Sequence, residues 1–215
     1  MKKALIFYGG WDGHTPKEAA ELFEAELKSK SFEVKVEGSL DSLSDTQLLR
    51  GFDLIVPIWT MGSLSKEQSK GLLEAVRGGV GLGGFHGGTG DAFRGDIDYE
   101  WMVGGHFLGH PHVGDYTVEL TGVKSPITAG MPQSFAYKSE QYYVMVDPAI
   151  EVLATTIYKH EGRETAMPVV WTKSWGKGRV FYSSLGHTAA ELKSYPEVLA
   201  MTVRGMLWAA AGKPE

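Results

Sequence analysis

Apolar residues recur along this chain in two rhythms. Continuous runs at Ala4–Tyr8, Asp53–Trp59, Gly79–Phe85 and Gly178–Ser183 are the right length for strands buried on both faces. Between them the spacing turns helical. Thr15-Pro16 supplies a cap and a first-turn proline, and Ala19, Ala20, Leu22, Phe23 and Leu27 follow on one face, predicting a helix over Pro16–Ser29. Ser65 caps a second helix running through Arg77, and Tyr195–Ala210 reads as a closing amphipathic helix. Phe32–Val36 alternates as a strand, and Ser44–Leu49 reads as a short helix.

After Gly88 the rhythm breaks. Asp96–Val103 has helical spacing, whereas Tyr116–Leu120, Glu151–Ile157 and Pro168–Trp171 read as further strands. Strand–helix alternation with short connections predicts an α/β fold with a doubly wound, mostly parallel sheet. The later segments form a strand-rich insertion over roughly residues 105 to 175 of a single unit spanning 1–215.

Composition narrows the chemistry more than the fold. Across 215 residues the net charge is −5, with no long basic run, which argues against nucleic acid as a partner. The absence of cysteine removes thiolate nucleophiles, disulfides and Cys-ligated zinc together. Met1-Lys2-Lys3 leads into an apolar run too short for a signal segment or a membrane span, so the expectation is a cytoplasmic protein with no membrane partner.

The candidate chemistry lies in histidines beside turn signals. His86 stands in Gly84-Phe85-His86-Gly87-Gly88, straight after a buried strand, where a fold of this kind commonly aims a nucleophilic Ser or Cys. His14 follows the first strand and His187 the last, and the carboxyl ends of parallel strands are where ligands bind. Three more histidines occur in Gly104-Gly105-His106-Phe107-Leu108-Gly109-His110-Pro111-His112. His106 and His110 have helical metal-pair spacing, yet Phe107 occupies the general-base position and the glycines oppose a helix. This segment is expected as a loop folded over the sheet end, with His110 foremost because Pro111 fixes its backbone. Glu140, in Ser139-Glu140-Gln141-Tyr142-Tyr143, is the best carboxylate. Trp11, Asp12, His14, Trp59 and Tyr142 are candidates for holding a sugar, the aromatic rings by stacking.

Two motifs fail on placement. Gly79-Val80-Gly81-Leu82-Gly83-Gly84 spells the dinucleotide fingerprint, but it lies before and within a strand instead of between a strand and a helix. Gly9-Gly10-Trp11-Asp12-Gly13-His14 lacks the hydroxyl residues of a flavin phosphate loop. Neither NAD nor flavin is expected.

Taken together, Gly10-Trp11-Asp12-Gly13-His14, Gly84-Phe85-His86-Gly87-Gly88, Gly104–Pro111, Ser139-Glu140-Gln141-Tyr142 and Gly178–His187 resemble the ThuA-like, or trehalose-utilisation, family, in order and over nearly the whole chain. The resemblance implies a class I glutamine-amidotransferase-like fold, a flavodoxin-type α/β sandwich. His86 stands where that superfamily carries its cysteine, which excludes amide hydrolysis through a thioester. The resemblance also implies action on disaccharides or their 3-keto derivatives. His106 stands where the family commonly has arginine, and Ser139 where it has aspartate.

The expectation is therefore a sugar-processing enzyme in which His86, His110, Glu140 and His187 carry the chemistry. In one form His86, His110 and His187 hold a divalent ion, zinc foremost, with Glu140 as ligand or base. In the other the histidines act as general acid and base without metal. The alternatives are a non-catalytic carbohydrate-binding or regulatory domain, and an oligomeric interaction module with a degenerate pocket. The aromatic-rich insertion is compatible with a homo-oligomer.

Overall fold

The computed structural model describes residues 1–212, so the last three residues of the expected unit lie outside it. Nine strands form one sheet in the order β2-β1-β3-β4-β9-β8-β7-β5-β6. The first half comprises β1 (Lys3–Gly10), β2 (Glu33–Glu37), β3 (Leu54–Thr60), β4 (Gly81–Phe85) and β9 (Gly178–Ser183). Their ladders are all parallel. From β9 onward the pairing reverses through β8 (Arg163–Trp175), β7 (Glu151–His160), β5 (Gly105–Leu120) and β6 (Ser134–Val146), all antiparallel.

The continuous apolar runs follow from burial on both faces. On β1, Ala4 and Ile6 pack against α1 (Pro16–Ser29) and α7 (Pro196–Ala210) through Phe23, Leu27 and Met206. Leu5 and Phe7 face the opposite way, toward α3 (Lys66–Arg77) and α5 (Ile97–Val103), in a cluster with Leu72, Val76, Tyr99 and Met102. Alternate residues point to opposite faces, so a strand covered on both sides has no polar position to spare.

The glycines of β4 have a packing reason. A Cβ at Gly81 would lie 2.5 Å from the Ala209 backbone, so the strand is glycine where α7 presses on it. A Cβ at Gly84 would lie 2.0 Å from Thr89 Oγ1, whose hydroxyl donates to the Pro57 carbonyl at 2.9 Å. Gly84→Ala is therefore expected to cost at least about 2 kcal/mol, as overpacking of a filled core does. A lower urea midpoint with an unchanged slope would record it.

Four expectations are corrected. The sheet is half parallel instead of mostly parallel, because the strands of the insertion continue the same sheet in antiparallel pairs. Gly104–His112, expected as a loop, is a glycine C-cap followed by the start of β5; register shifts between Phe107 and Gly109 and between Gly109 and His112 bend that strand. Such bulges absorb glycine and proline while the ladder continues. Ser134–Val146, expected only as a polar-aromatic stretch, is β6, paired along most of its length with β5. The short helix at Ser44–Leu49 is split into a 3₁₀ turn (Asp41–Ser44) and α2 (Thr46–Leu49), with the Asp45 carboxylate accepting from Leu48 N–H at 2.9 Å.

Candidate functional site

β4 passes into α4 (His86–Gly90) at His86 itself, which holds φ 43°. A non-glycine residue in the left-handed region costs about 1–3 kcal/mol and persists only when its surroundings over-determine it. Here they do. The His86 carbonyl accepts from the Tyr182 hydroxyl at 3.2 Å, and the ring is 1% exposed. A Cβ at Gly87 would lie 2.3 Å from His14 Cε1, so this glycine is what lets the His14 ring come in beside the turn.

Three imidazoles meet there. The His14 ring lies 4.8 Å from that of His86 and 5.0 Å from that of His187, and His86 and His187 are 5.3 Å apart. Glu140 arrives from β6 as their common neighbour. Its Oε2 is 3.5 Å from His86 Nε2, and its Oε1 is 3.5 Å from His110 Nε2 and 3.6 Å from His187 Nε2. These separations exceed those of good hydrogen bonds and leave space between the groups. Behind the cluster, Thr60 Oγ1 is 2.7 Å from His14 Nδ1, and the Tyr142 hydroxyl is 2.9 Å from His86 Nδ1.

Burial first, and then the neighbouring imidazoles, hold His86 well below the ordinary histidine range. The same causes lower His14 from 6.5 to about 4. Both are neutral at pH 7, with ring lone pairs free for a proton or a cation. Among the described residues, His86 Nε2 and His187 Nε2 are buried side-chain atoms without a hydrogen-bond partner. Such atoms are costly to leave unmet, so the arrangement suits something bound among them.

The same histidines make the fold acid-sensitive. For His14 the unfolded chain binds the extra proton between pH 6.5 and about 4, so stability falls as pH drops through that window and levels off below it. His86 adds to the loss in the same direction. Urea midpoints at pH 7.5 and 4.5 are expected to differ accordingly, and His14→Gln to reduce the difference. Equal midpoints would contradict neutral burial.

Not every expected residue joins the cluster. Trp11 stands at its rim, 48% exposed and edge-on to His14 at 4.7 Å. Asp12 is exposed in the 3₁₀ turn Asp12–His14. Trp59, partly buried, packs with the α3-side core, while Thr60, the next residue on β3, takes the face toward His14. Tyr142 is covered by its neighbours. It is 4% exposed, with its ring against His86 at 4.3 Å and Phe107 at 4.4 Å. His106 pairs instead with Glu100, Nδ1 to Oε2 at 2.9 Å, and His112 lies at the surface near the Asp115 carbonyl.

Several contributors escape a reading by type and spacing. Thr60 orients His14, and the Tyr116 hydroxyl donates to the Glu140 carbonyl at 3.0 Å. Glu191, in α6 (Ala189–Ser194), accepts from the Tyr137 hydroxyl, from the Ser139 hydroxyl at 3.0 Å and from His187 N–H at 2.9 Å. It thereby ties the strand bearing Glu140 to the loop bearing His187. Thr188-x-x-Glu191 is a capping-box spacing that marks this residue in the sequence.

Comparison with known proteins agrees with this architecture. A ThuA-like protein from Bacteroides uniformis superposes with a TM-score of 0.79 at 19% identity, over 97% of this chain and 91% of that one. Another from Parabacteroides merdae gives 0.77 at 21% identity, over 99% and 91%. A β-galactosidase from Rahnella sp. R3 gives 0.59 at 14% identity, over 95% of this chain and 32% of that one. At such identities the likeness shows the fold alone. No curated protein is significantly similar to this chain. The ThuA family, described as trehalose utilisation, matches residues 3–209, and this chain belongs to that family.

Proposed function

We propose that the chain is a sugar-processing enzyme acting on disaccharides or their 3-keto derivatives at the His14, His86, His110, His187 and Glu140 cluster. The observation that carries this is one carboxylate facing three imidazoles, two of whose buried ring nitrogens have no hydrogen-bond partner among the described residues. The setting is a doubly wound, flavodoxin-like half-sheet of the glutamine-amidotransferase type, in which His86 replaces the cysteine. A cytoplasmic location and a homo-oligomer complete the reading; a Salmonella typhimurium neighbour (TM-score 0.62, 12% identity) is described as a cytoplasmic protein. Among the described residues, no helix is long and apolar enough to cross a membrane.

The donor set fits a divalent ion. Ligand atoms of His14, His86 and Glu140 lie within 4.8 Å of one another. His14 thus takes the place expected for His110, whose side chain is 42% exposed, while His187 stands beside this trio. An ion held there, zinc foremost for an imidazole-rich site, would polarise a carbonyl or acidify a water.

The chain's own groups supply the rest. Glu140 takes the proton from the carbon beside the ketone; the C–H electron pair becomes the C=C bond of an enolate as the carbonyl π pair moves onto oxygen. Neutral His86 and His14 line the dry side, where a developing oxyanion interacts strongly with fixed dipoles. His110 and His187, toward solvent, return protons.

A non-catalytic carbohydrate-binding or regulatory domain is the second reading. It draws support from the β-galactosidase likeness, in which a unit of this fold is about a third of a larger enzyme, 32% of that chain. Metal analysis of protein purified without an affinity tag tests the metal form. About one equivalent is expected; less than about a tenth, with indifference to chelators, would sink it.

A further inference from the structure

Tyr142 is covered as a ring surface, yet its hydroxyl reaches the cluster. The oxygen lies 2.9 Å from His86 Nδ1, and among the described residues that nitrogen is its hydrogen-bond partner. A tyrosine keeps its proton at neutral pH, and a buried O–H is costly to leave unpaired. The hydroxyl therefore donates and Nδ1 accepts. The reverse bond, from Nδ1–H to the phenol oxygen, would leave the O–H with no acceptor among the described residues.

A neutral imidazole carries one ring proton, so a bare Nδ1 places it on Nε2. The other end of the ring gives the same answer. Nε2 is buried without a hydrogen-bond partner, and Glu140 Oε2 stands 3.5 Å from it. A carboxylate attracts an N–H there and repels a ring lone pair. Two independent contacts, one at each nitrogen, thus select one tautomer. The ring is also held in place. It packs on the Tyr142 ring at 4.3 Å, and its backbone carbonyl accepts from the Tyr182 hydroxyl at 3.2 Å.

We infer that Tyr142 is a positioning residue, which holds His86 as a neutral Nε2–H donor for the carbonyl oxygen of the substrate. The inference rests on the reading of the cluster as a sugar site. As Glu140 receives the C–H proton, negative charge collects on that oxygen. Nε2–H donates a hydrogen bond to it and keeps its own proton. The bond accepted at Nδ1 polarises the ring and strengthens the donor at Nε2. A protonated nitrogen cannot ligate, so an ion in the cluster would draw on the remaining imidazoles and Glu140.

Nitrogen-15 NMR of the full chain as purified reads the place of the proton, because protonated and bare ring nitrogens give separate signals. The His86 proton is expected on Nε2 in the parent and, since Tyr142 remains, in Glu140→Gln as well. Combining Glu140→Gln with Tyr142→Phe removes both selecting contacts and is expected to show both tautomers. A proton on Nδ1 in the parent or in Glu140→Gln, with Nε2 bare or on an ion, would overturn the inference. On a 3-keto disaccharide, Tyr142→Phe is expected to lower kcat about tenfold with KM near that of the parent, as when one hydrogen bond is lost from the transition state. An unchanged kcat would reduce Tyr142 to packing and overturn the inference too. If the parent itself leaves the keto sugar untouched, the sugar reading falls, while the nitrogen signals still decide the tautomer.

Discussion

His86→Asn is expected to lower kcat/KM on a 3-keto disaccharide by about 10²–10³-fold while leaving the fold intact, the range for loss of a preorganised group facing a developing oxyanion. Asparagine is the informative replacement because it tolerates the left-handed region, and His86 sits at φ 43°. Alanine there would add backbone strain to the loss of the ring, and a dead enzyme could then be a misfolded one. The Asn variant removes Nε2, the buried nitrogen facing Glu140, and keeps a short polar group near the Tyr142 hydroxyl. Melting temperature and far-UV dichroism should stay near those of the parent. Unchanged sugar turnover or binding would favour the non-catalytic reading.

Glu140→Gln is expected to reduce divalent-metal affinity by at least about 100-fold, and turnover with it, since even groups one layer out from a metal are worth 10–100-fold. The substitution is nearly isosteric, and the backbone anchor from Tyr116 to the Glu140 carbonyl is retained. What disappears is the one negative charge among the Nε2 atoms of His86, His110 and His187. The amide would also turn a donor toward one of those nitrogens. Calorimetric titration with zinc measures the first effect, and steady-state assay the second. Parent-like affinity together with parent-like turnover would remove Glu140 from the account.

The parallel half of the sheet was legible because its strands are buried on both faces, which leaves an unbroken apolar signature in Ala4–Tyr8 and Gly178–Ser183. With those strands placed, His14, His86 and His187 fall at one sheet end by topology alone, as their ring contacts show. In the antiparallel half Tyr116–Leu120, Glu151–Ile157 and Pro168–Trp171 were read as strands, whereas the start of β5 and the whole of β6 were not, for local reasons. Gly109 and Pro111 interrupt β5 at its bulges, and β6 carries Ser139, Glu140 and Gln141 in succession, which masks its alternation. The covering of the Tyr142 ring was not legible either, because it follows from the packing of β6 over His86. The support from Thr60 and Tyr116 depends on contacts across 46 and 24 residues of chain, which no local pattern encodes.

The most direct test of the central claim, that these imidazoles and Glu140 form one working site, is product formation. Untagged protein would be incubated with trehalose and with its 3-keto derivative, with and without added zinc or manganese, and followed by chromatography and mass spectrometry. The account predicts consumption of the keto sugar, stimulated by metal and abolished in Glu140→Gln, with unoxidised trehalose untouched. Persistence of the keto sugar under every metal condition, or equal consumption by Glu140→Gln, would contradict it.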